Sequence, residues 1–216
     1  MLNNLSVKTR VLAAFAGVLF LTIALGLFSL ARLNAVASDS KVMSGDSLPS
    51  IRALAALNAE MLRTRSLQLQ HVISTDDKDM RDVERQIQER VAKVDEAKTA
   101  YEKLISLPEE RTLFPKLRDQ WAHCNAIWSK LVKLSDANQT AAAATMVREE
   151  MAPAYRDLQE TLGALVALNE RNASLVADTI DDTVYTGRLS ISIALVIAAL
   201  TAIGAGWSLI SGVVKP

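Results

Sequence analysis

Four side chains are our candidates for binding a carboxylate ligand: Arg63, Arg65, Arg148 and Tyr155. A guanidinium is a planar fork of donors that matches a carboxylate, and a phenol supplies a further donor. Arg65 falls on one helical stripe with Leu54, Asn58, Met61, Gln68 and Val72. A charge on such a stripe needs a partner. Arg65 therefore either snorkels or pairs with an acid of a neighbouring helix, or it binds a ligand between helices.

The other three candidates are weaker when each is taken alone. Arg63 lies on a different face of the helix from Arg65. Arg148 and Tyr155 are seven residues apart, so they lie close to one face of a helix. For Arg148 and Tyr155, each taken by itself, a solvated surface position is the favoured interpretation.

Residues suited to catalysis or to metal binding are few. Cys124 is the only cysteine, which excludes a disulfide framework and a paired-cysteine zinc or redox site. His123 is adjacent to Cys124, so on a helix the two side chains diverge by about 100° and make a poor joint metal site. The chain contains no glycine-rich phosphate loop. We therefore expect no enzyme activity, no metal and no cofactor; opposed haem ligands such as His71 and His123 are disfavoured.

Charge is distributed very unevenly along the chain. The 216 residues include 24 Lys+Arg and 24 Asp+Glu, yet no acid precedes Asp39 or follows Asp182. Residues 11–31 and 189–214 carry no charge, and at about 1.5 Å per residue each run can cross a hydrocarbon core of about 30 Å. The predicted organisation is a tail (1–10), a transmembrane helix (11–31), an exterior domain (32–188), a second transmembrane helix (189–214) and the start of a linker (215–216).

The first uncharged run has an alternative interpretation as a cleaved signal peptide, with Ala35–Ala37 at the cleavage site. A signal peptide has an apolar core of about 7–15 residues, and this run is longer. Lys8, Arg10 and Lys215 carry the charge of the two tails, which places both termini in the cytoplasm by the positive-inside tendency. The exterior domain is mildly acidic, so we expect no nucleic-acid partner.

The exterior domain has the apolar periodicity of helices. Apolar residues recur at alternating steps of three and four, as along a coiled-coil seam. Examples are Ile87, Val91 and Val94; Leu117, Trp121, Cys124, Trp128 and Leu131; and Leu158, Leu162 and Leu165. The predicted fold class is all-α, an antiparallel up-down four-helix bundle flanked by two transmembrane helices.

Capping residues and prolines divide this domain into four long helices. The first continues out of the first span with a kink near Gly45–Pro49, and the last runs unbroken through Arg188 into the second span. The predicted helix boundaries are Ser74–Asp77 before the second helix, Leu107–Glu110 before the third helix and Ser135–Asn138 after the third helix. A short helical turn is predicted over Ala141–Met151, before Pro153.

Polar residues interrupt the apolar seam of the fourth helix at Asn169 and Asn172. Buried polar groups on such a seam can specify register or oligomeric state at some cost in stability, and we favour this structural role. Trp121 and Trp128 are one heptad apart and are predicted to lie in the core.

Several short strings occur in the order and spacing of one known family. They are Ser47–Pro49, Leu107–Arg111, Trp121, the alanine-rich Asn138–Met146, Pro153, and Asn169 with Asn172. Together with the basic tail and the two spans, they resemble the sensory half of bacterial methyl-accepting chemotaxis proteins (chemoreceptors) with a four-helix-bundle ligand-binding domain. The resemblance covers almost the whole chain.

The resemblance implies a non-catalytic receptor of the bacterial inner membrane. Its periplasmic bundle would form a homodimer and bind small organic acids or amino acids between helices. The likeness to the aspartate and serine receptors extends to Thr64-Arg65, but Gln70 and Ser74 stand where those receptors carry further basic residues. Arg65 is thus the ligand contact that the resemblance carries over, and the other three candidates remain secondary.

The last residues, Ser211–Pro216, resemble the junction with a HAMP signal-converting module. We expect a region beyond it to contact a cytoplasmic kinase and its adaptor. Binding of a small ligand, or of a ligand-loaded binding protein, would then be transmitted across the membrane. The alternatives are an input module of a sensor histidine kinase or diguanylate cyclase, and a structural or adaptor membrane protein that binds another protein.

Overall fold

A computed structural model describes residues 7–214. Residues 1–6 of the predicted tail and the predicted linker 215–216 lie outside the described residues. All elements in the described range are helical. The α-helices are α1 (Val7–Val42), α2 (Leu48–Ile73), α3 (Asp77–Glu102), α4 (Glu110–Asp136), α5 (Thr140–Met146) and α6 (Ala152–Val214), and two π-helical segments lie at Met43–Ser47 and Val147–Met151. The prediction of an all-α four-helix bundle is confirmed, with α2, α3, α4 and α6 as the four long helices.

Contacts divide the chain into two compact units. The bundle unit comprises residues 43–175, and the second unit comprises residues 1–42 and 176–216. Two helical stretches, Val11–Ile73 and Thr140–Gly204, each contain a segment long and apolar enough to cross a membrane. In the second unit large apolar side chains are strongly exposed, as at Phe15, which is 78% exposed. This exposure suits a hydrocarbon environment. The span boundaries 11–31 and 189–214 stay predictions.

The four apolar seams meet in one core. Side chains three and four residues apart lie on the same face of a helix, so each seam presents a continuous row to its neighbours. The largest fully buried side chains are Trp121, Tyr101, Leu54, Leu57, Met61, Ile87, Leu117, Leu131, Met151, Leu158, Leu162 and Leu165. Trp121 and Trp128 both belong to this core, as predicted.

Both π-helical segments precede a proline by two residues. Met43–Ser47 ends before Pro49, and Val147–Met151 ends before Pro153. Proline has no N–H, and its ring clashes with the carbonyl four residues earlier, which in each case lies inside the π-helical segment. A wider turn accommodates the ring without ending the helix. The irregularity predicted near Gly45–Pro49 is therefore a π-helical turn, and the segment before Pro153 continues directly into α6.

The loops follow the predicted capping residues closely. Asp76 caps α3, because its Oδ1 accepts hydrogen bonds from the backbone N–H groups of Lys78 and Asp79, both at 2.9 Å. After α4, Asn138 adopts a positive φ of 54°, which asparagine tolerates better than most residues. Pro108 lies in the loop before α4, which begins at Glu110.

A buried histidine joins α2 to α4 near the end of the bundle that carries the α2–α3 turn. Nδ1 of His71 lies 2.9 Å from Oγ of Ser135, which donates in turn to the carbonyl of His71 at 3.0 Å. The histidine ring also meets Trp128 edge to face at 5.4 Å. Because the hydroxyl hydrogen of Ser135 is directed to the carbonyl, Ser135 Oγ accepts in the second contact. Nδ1 of His71 is therefore the donor and carries a hydrogen.

We expect Ser135→Ala to lower the free energy of unfolding by about 1–3 kcal/mol, because it leaves Nδ1 of His71 buried without a partner. Thermal unfolding of the full chain in detergent, followed by circular dichroism, measures the effect. Ser129→Ala is the matched control, since Ser129 is exposed and bonds only the carbonyl of Asn125 in its own helix. Equal melting of the two variants would contradict the role given to Ser135.

Candidate ligand-binding site

The structure brings together Arg65 of α2 and Tyr155 of α6. The guanidinium carbon Cζ lies 4.4 Å from the centre of the tyrosine ring, within the range of a cation–π contact. Tyr155 is buried and Arg65 is half-buried. Both residues occupy seam positions of their helices, which is why residues 90 apart in sequence meet inside the bundle.

Tyr155 is held in place as a neutral phenol. Its hydroxyl donates a hydrogen bond to the backbone carbonyl of Met61, one turn before Arg65 on α2. Burial raises the pKa of Tyr155, and the neighbouring Arg65 only partly offsets this effect. With its hydroxyl committed to the backbone, the ring presents its face to the guanidinium.

Arg65 itself has no ion-pair partner among residues 7–214. Its Nη1 is buried and has no hydrogen-bond partner among the described residues. Burial raises the pKa of the Cys124 thiol to about 11, although the positive charge of Arg65 acts to lower it. The thiol is therefore neutral near pH 7 and does not balance the charge of the guanidinium. An unpaired donor of a charged group inside a bundle is suited to an anionic ligand.

Arg63 and Arg148 are engaged elsewhere. Arg63, whose side chain is 58% exposed, pairs with Glu60 on its own helix. Glu60 also binds Arg90 of α3 at 3.1 Å. Burial acts to raise the pKa of Glu60, but Arg63 and Arg90 outweigh this effect and hold the pKa below its usual value. Arg148 is 71% exposed and lies 3.4 Å from Glu149. The geometry therefore groups Arg65 with Tyr155 and leaves the other two in surface ion pairs.

Two further buried polar groups lie on the helices of Arg65 and of Cys124. Gln68 follows Arg65 by one turn, is buried, and has an Oε1 without a partner in the described part of the chain. Trp121, one turn before Cys124, is equally buried, and its Nε1–H is likewise unpartnered among residues 7–214. Sequence periodicity placed both on inward faces, but it held no information on whether their polar atoms find partners.

Comparison with known families identifies the module. The profile described as "four helix bundle sensory module for signal transduction" matches residues 4–184. The chain belongs to this family of chemoreceptor sensory modules. No curated protein sequence matches the chain. The family is one of signal transduction and not of catalysis, and its modules serve membrane receptors, which agrees with the two helices able to cross a membrane.

Arg65→Met tests whether the guanidinium of Arg65 lacks a partner that stabilises the fold of this sensory module. We expect the melting temperature of the full chain in detergent to stay the same or rise, because replacing a desolvated charge by an apolar side chain of similar length is often neutral or stabilising. Arg90→Met is the matched control: it removes an arginine paired with Glu60 and should lower the melting temperature. A decrease for Arg65→Met as large as that for Arg90→Met would show that Arg65 has a structural partner.

Proposed function

We propose that the bundle senses a small carboxylate by binding it between helices at Arg65. The observation that carries this proposal is the buried Nη1 without a partner, next to the ring of Tyr155. A ligand carboxylate would accept hydrogen bonds from the guanidinium, while Gln68 and Trp121 offer polar atoms for the rest of the molecule. Organic acids and amino acids are the two classes that fit this chemistry.

We further propose that the module is a two-span receptor of a bacterial inner membrane with a periplasmic bundle. The cations of the two tails, Lys8, Arg10 and Lys215, support cytoplasmic termini. Because α6 is a single helix from Ala152 to Val214, it can carry a displacement from the bundle toward the cytoplasm. There a chemotaxis kinase and its adaptor would receive the signal through a region beyond residue 216.

A homodimer is the assembly that we propose for this receptor. One face of α2 carries an exposed heptad seam at alternating steps of four and three, formed by Leu48, Arg52, Ala55, Ala59, Leu62, Ser66, Leu69 and Ile73. Leu62 is 48% exposed and Ile73 76% exposed, so large apolar side chains of this face remain open to a partner, although its last turns also border Ala144 and Val147. Two copies anchored in one membrane share a two-fold axis along its normal, so the two α2 seams would pack in parallel.

Ligand binding is tested on the full chain in lipid nanodiscs, by calorimetric titration with panels of organic acids and amino acids. We expect one class to bind. Arg65→Gln should weaken that binding by about 10- to 100-fold, because a hydrogen bond to a charged group contributes about 1.5–3 kcal/mol. Arg63→Ala should bind as the wild type does. Unchanged affinity of Arg65→Gln would remove Arg65 from the site, and no binding in either panel would favour a protein ligand.

The dimer is tested by oxidative cross-linking of single-cysteine substitutions in membranes. Ser66→Cys lies on the exposed seam of α2 and should form a disulfide between two copies, while Ser129→Cys, on the exposed face of α4, should not. The native Cys124 is buried and stays unreactive. Equal cross-linking of the two variants, or none in Ser66→Cys, would contradict this interface.

A further inference from the structure

A second buried charge, Glu110, lies at the opposite end of the bundle from His71. We call this the entry end, because the chain enters the bundle unit here through the first π-helical segment, whose Ser47 contacts Asn172 of α6. The carboxylate is fully buried and every one of its hydrogen bonds comes from the bundle unit. Oε1 accepts from the hydroxyl of Tyr101 at 2.6 Å and from Nδ2 of Asn169 at 2.7 Å, and Oε2 accepts from the N–H groups of Ser106 and Leu107, both at 2.9 Å.

These four donors keep the carboxylate ionised. Burial by itself acts to raise the pKa of Glu110, but the hydrogen bonds from Tyr101, Leu107, Asn169 and Ser106 outweigh it and hold the pKa below its usual value. The same burial and the neighbouring carboxylate raise the pKa of Tyr101, which therefore remains a donor. A buried carboxylate of this kind is costly to leave with a donor missing.

Asn169 is the member of this cluster that belongs to α6. Its Nδ2 reaches Glu110, the hydroxyl of Tyr101 at 3.3 Å, and the carbonyl of Leu165 at 3.0 Å within its own helix. One turn further along α6, Nδ2 of Asn172 lies 3.3 Å from Oγ of Ser47 in the first π-helical segment. Two consecutive turns of α6 are thus attached by polar contacts to the rest of the bundle.

We propose that Asn169, Glu110 and Tyr101 form a latch that sets the position of α6 along its axis, and that signalling displaces α6 by opening this latch. The inference rests on the proposed function in one respect: that movement of α6 is the signal. Apolar burial is non-directional, so it distinguishes neighbouring axial positions of a helix less sharply than a hydrogen bond, which is lost once donor and acceptor are more than about 3.5 Å apart. The latch therefore turns a gradual movement into two discrete positions.

The test measures the position of α6 in the full chain in nanodiscs, without ligand. Spin labels are placed through cysteine at Lys130, near the far end of α4, and at Arg171, two residues past Asn169; both sites are exposed. This pair spans much of the bundle length, so a shift of α6 along its axis changes the distance between the labels, which pulsed electron resonance measures. Cys124, being buried, remains unlabelled.

In the wild type we expect one dominant distance. Asn169→Ala should add a second population displaced by about 1.5 Å or more, the rise of one helical residue. Gln159→Ala is the matched control on α6: Gln159 is a half-buried amide whose Nε2 has no partner in the described residues, so its loss should leave the distance unchanged. A merely structural role of Asn169 would lower the melting temperature and leave the distance distribution as it is.

Tyr101→Phe is the second variant, in case Asn169→Ala does not fold. It keeps the ring that packs against Phe114 at 5.4 Å and removes only the hydroxyl that bonds Glu110, so we expect a smaller displaced population. An unchanged distance in every latch variant that folds would overturn the proposal, as would the same shift in Gln159→Ala. Because no ligand is used, failure of the latch is distinguishable from failure of carboxylate binding at Arg65.

Discussion

The carboxylate of Glu110 is the constraint on which the arrangement of the bundle helices depends most directly. It lies at the first residue of α4, yet it collects donors from the end of α3, from the α3–α4 loop and from α6. A buried charge of this kind is tolerated only when donors surround it. A polar group with a specific set of partners therefore adds directional contacts to the apolar burial at the entry end.

Arg65 presents the opposite electrostatic situation within the same bundle. Glu110 is completely satisfied by its own chain, whereas Arg65 keeps a buried donor unpaired beside the ring of Tyr155. The proposed function needs both conditions: contacts that define a resting arrangement, and a group whose interactions a ligand completes. A ligand shifts the equilibrium between two arrangements only by its differential affinity for them, and an unpaired charge is one source of such a difference.

The helices can connect these two regions because they are nearly uninterrupted. Pro49 and Pro153 would each be expected to break a helix, but a π-helical turn before each proline keeps the backbone helical. Beyond Pro153, α6 passes both Tyr155 and Asn169 and continues to Val214 without a break. The residue beside the guanidinium and the residue bound to Glu110 are therefore parts of one rigid element.

The sequence by itself determined the helices, their seams, the two apolar runs and the family, because periodicity, capping and uncharged length are local properties of the chain. A cap within Ser74–Asp77 followed from residue type, and the inward position of Arg65 followed from spacing. Tertiary structure decided which polar groups meet: Arg65 with Tyr155, His71 with Ser135, and Glu110 with Asn169. These pairs join residues about 60 to 90 positions apart. Their partners depend on how separate helices pack, which helical spacing does not encode.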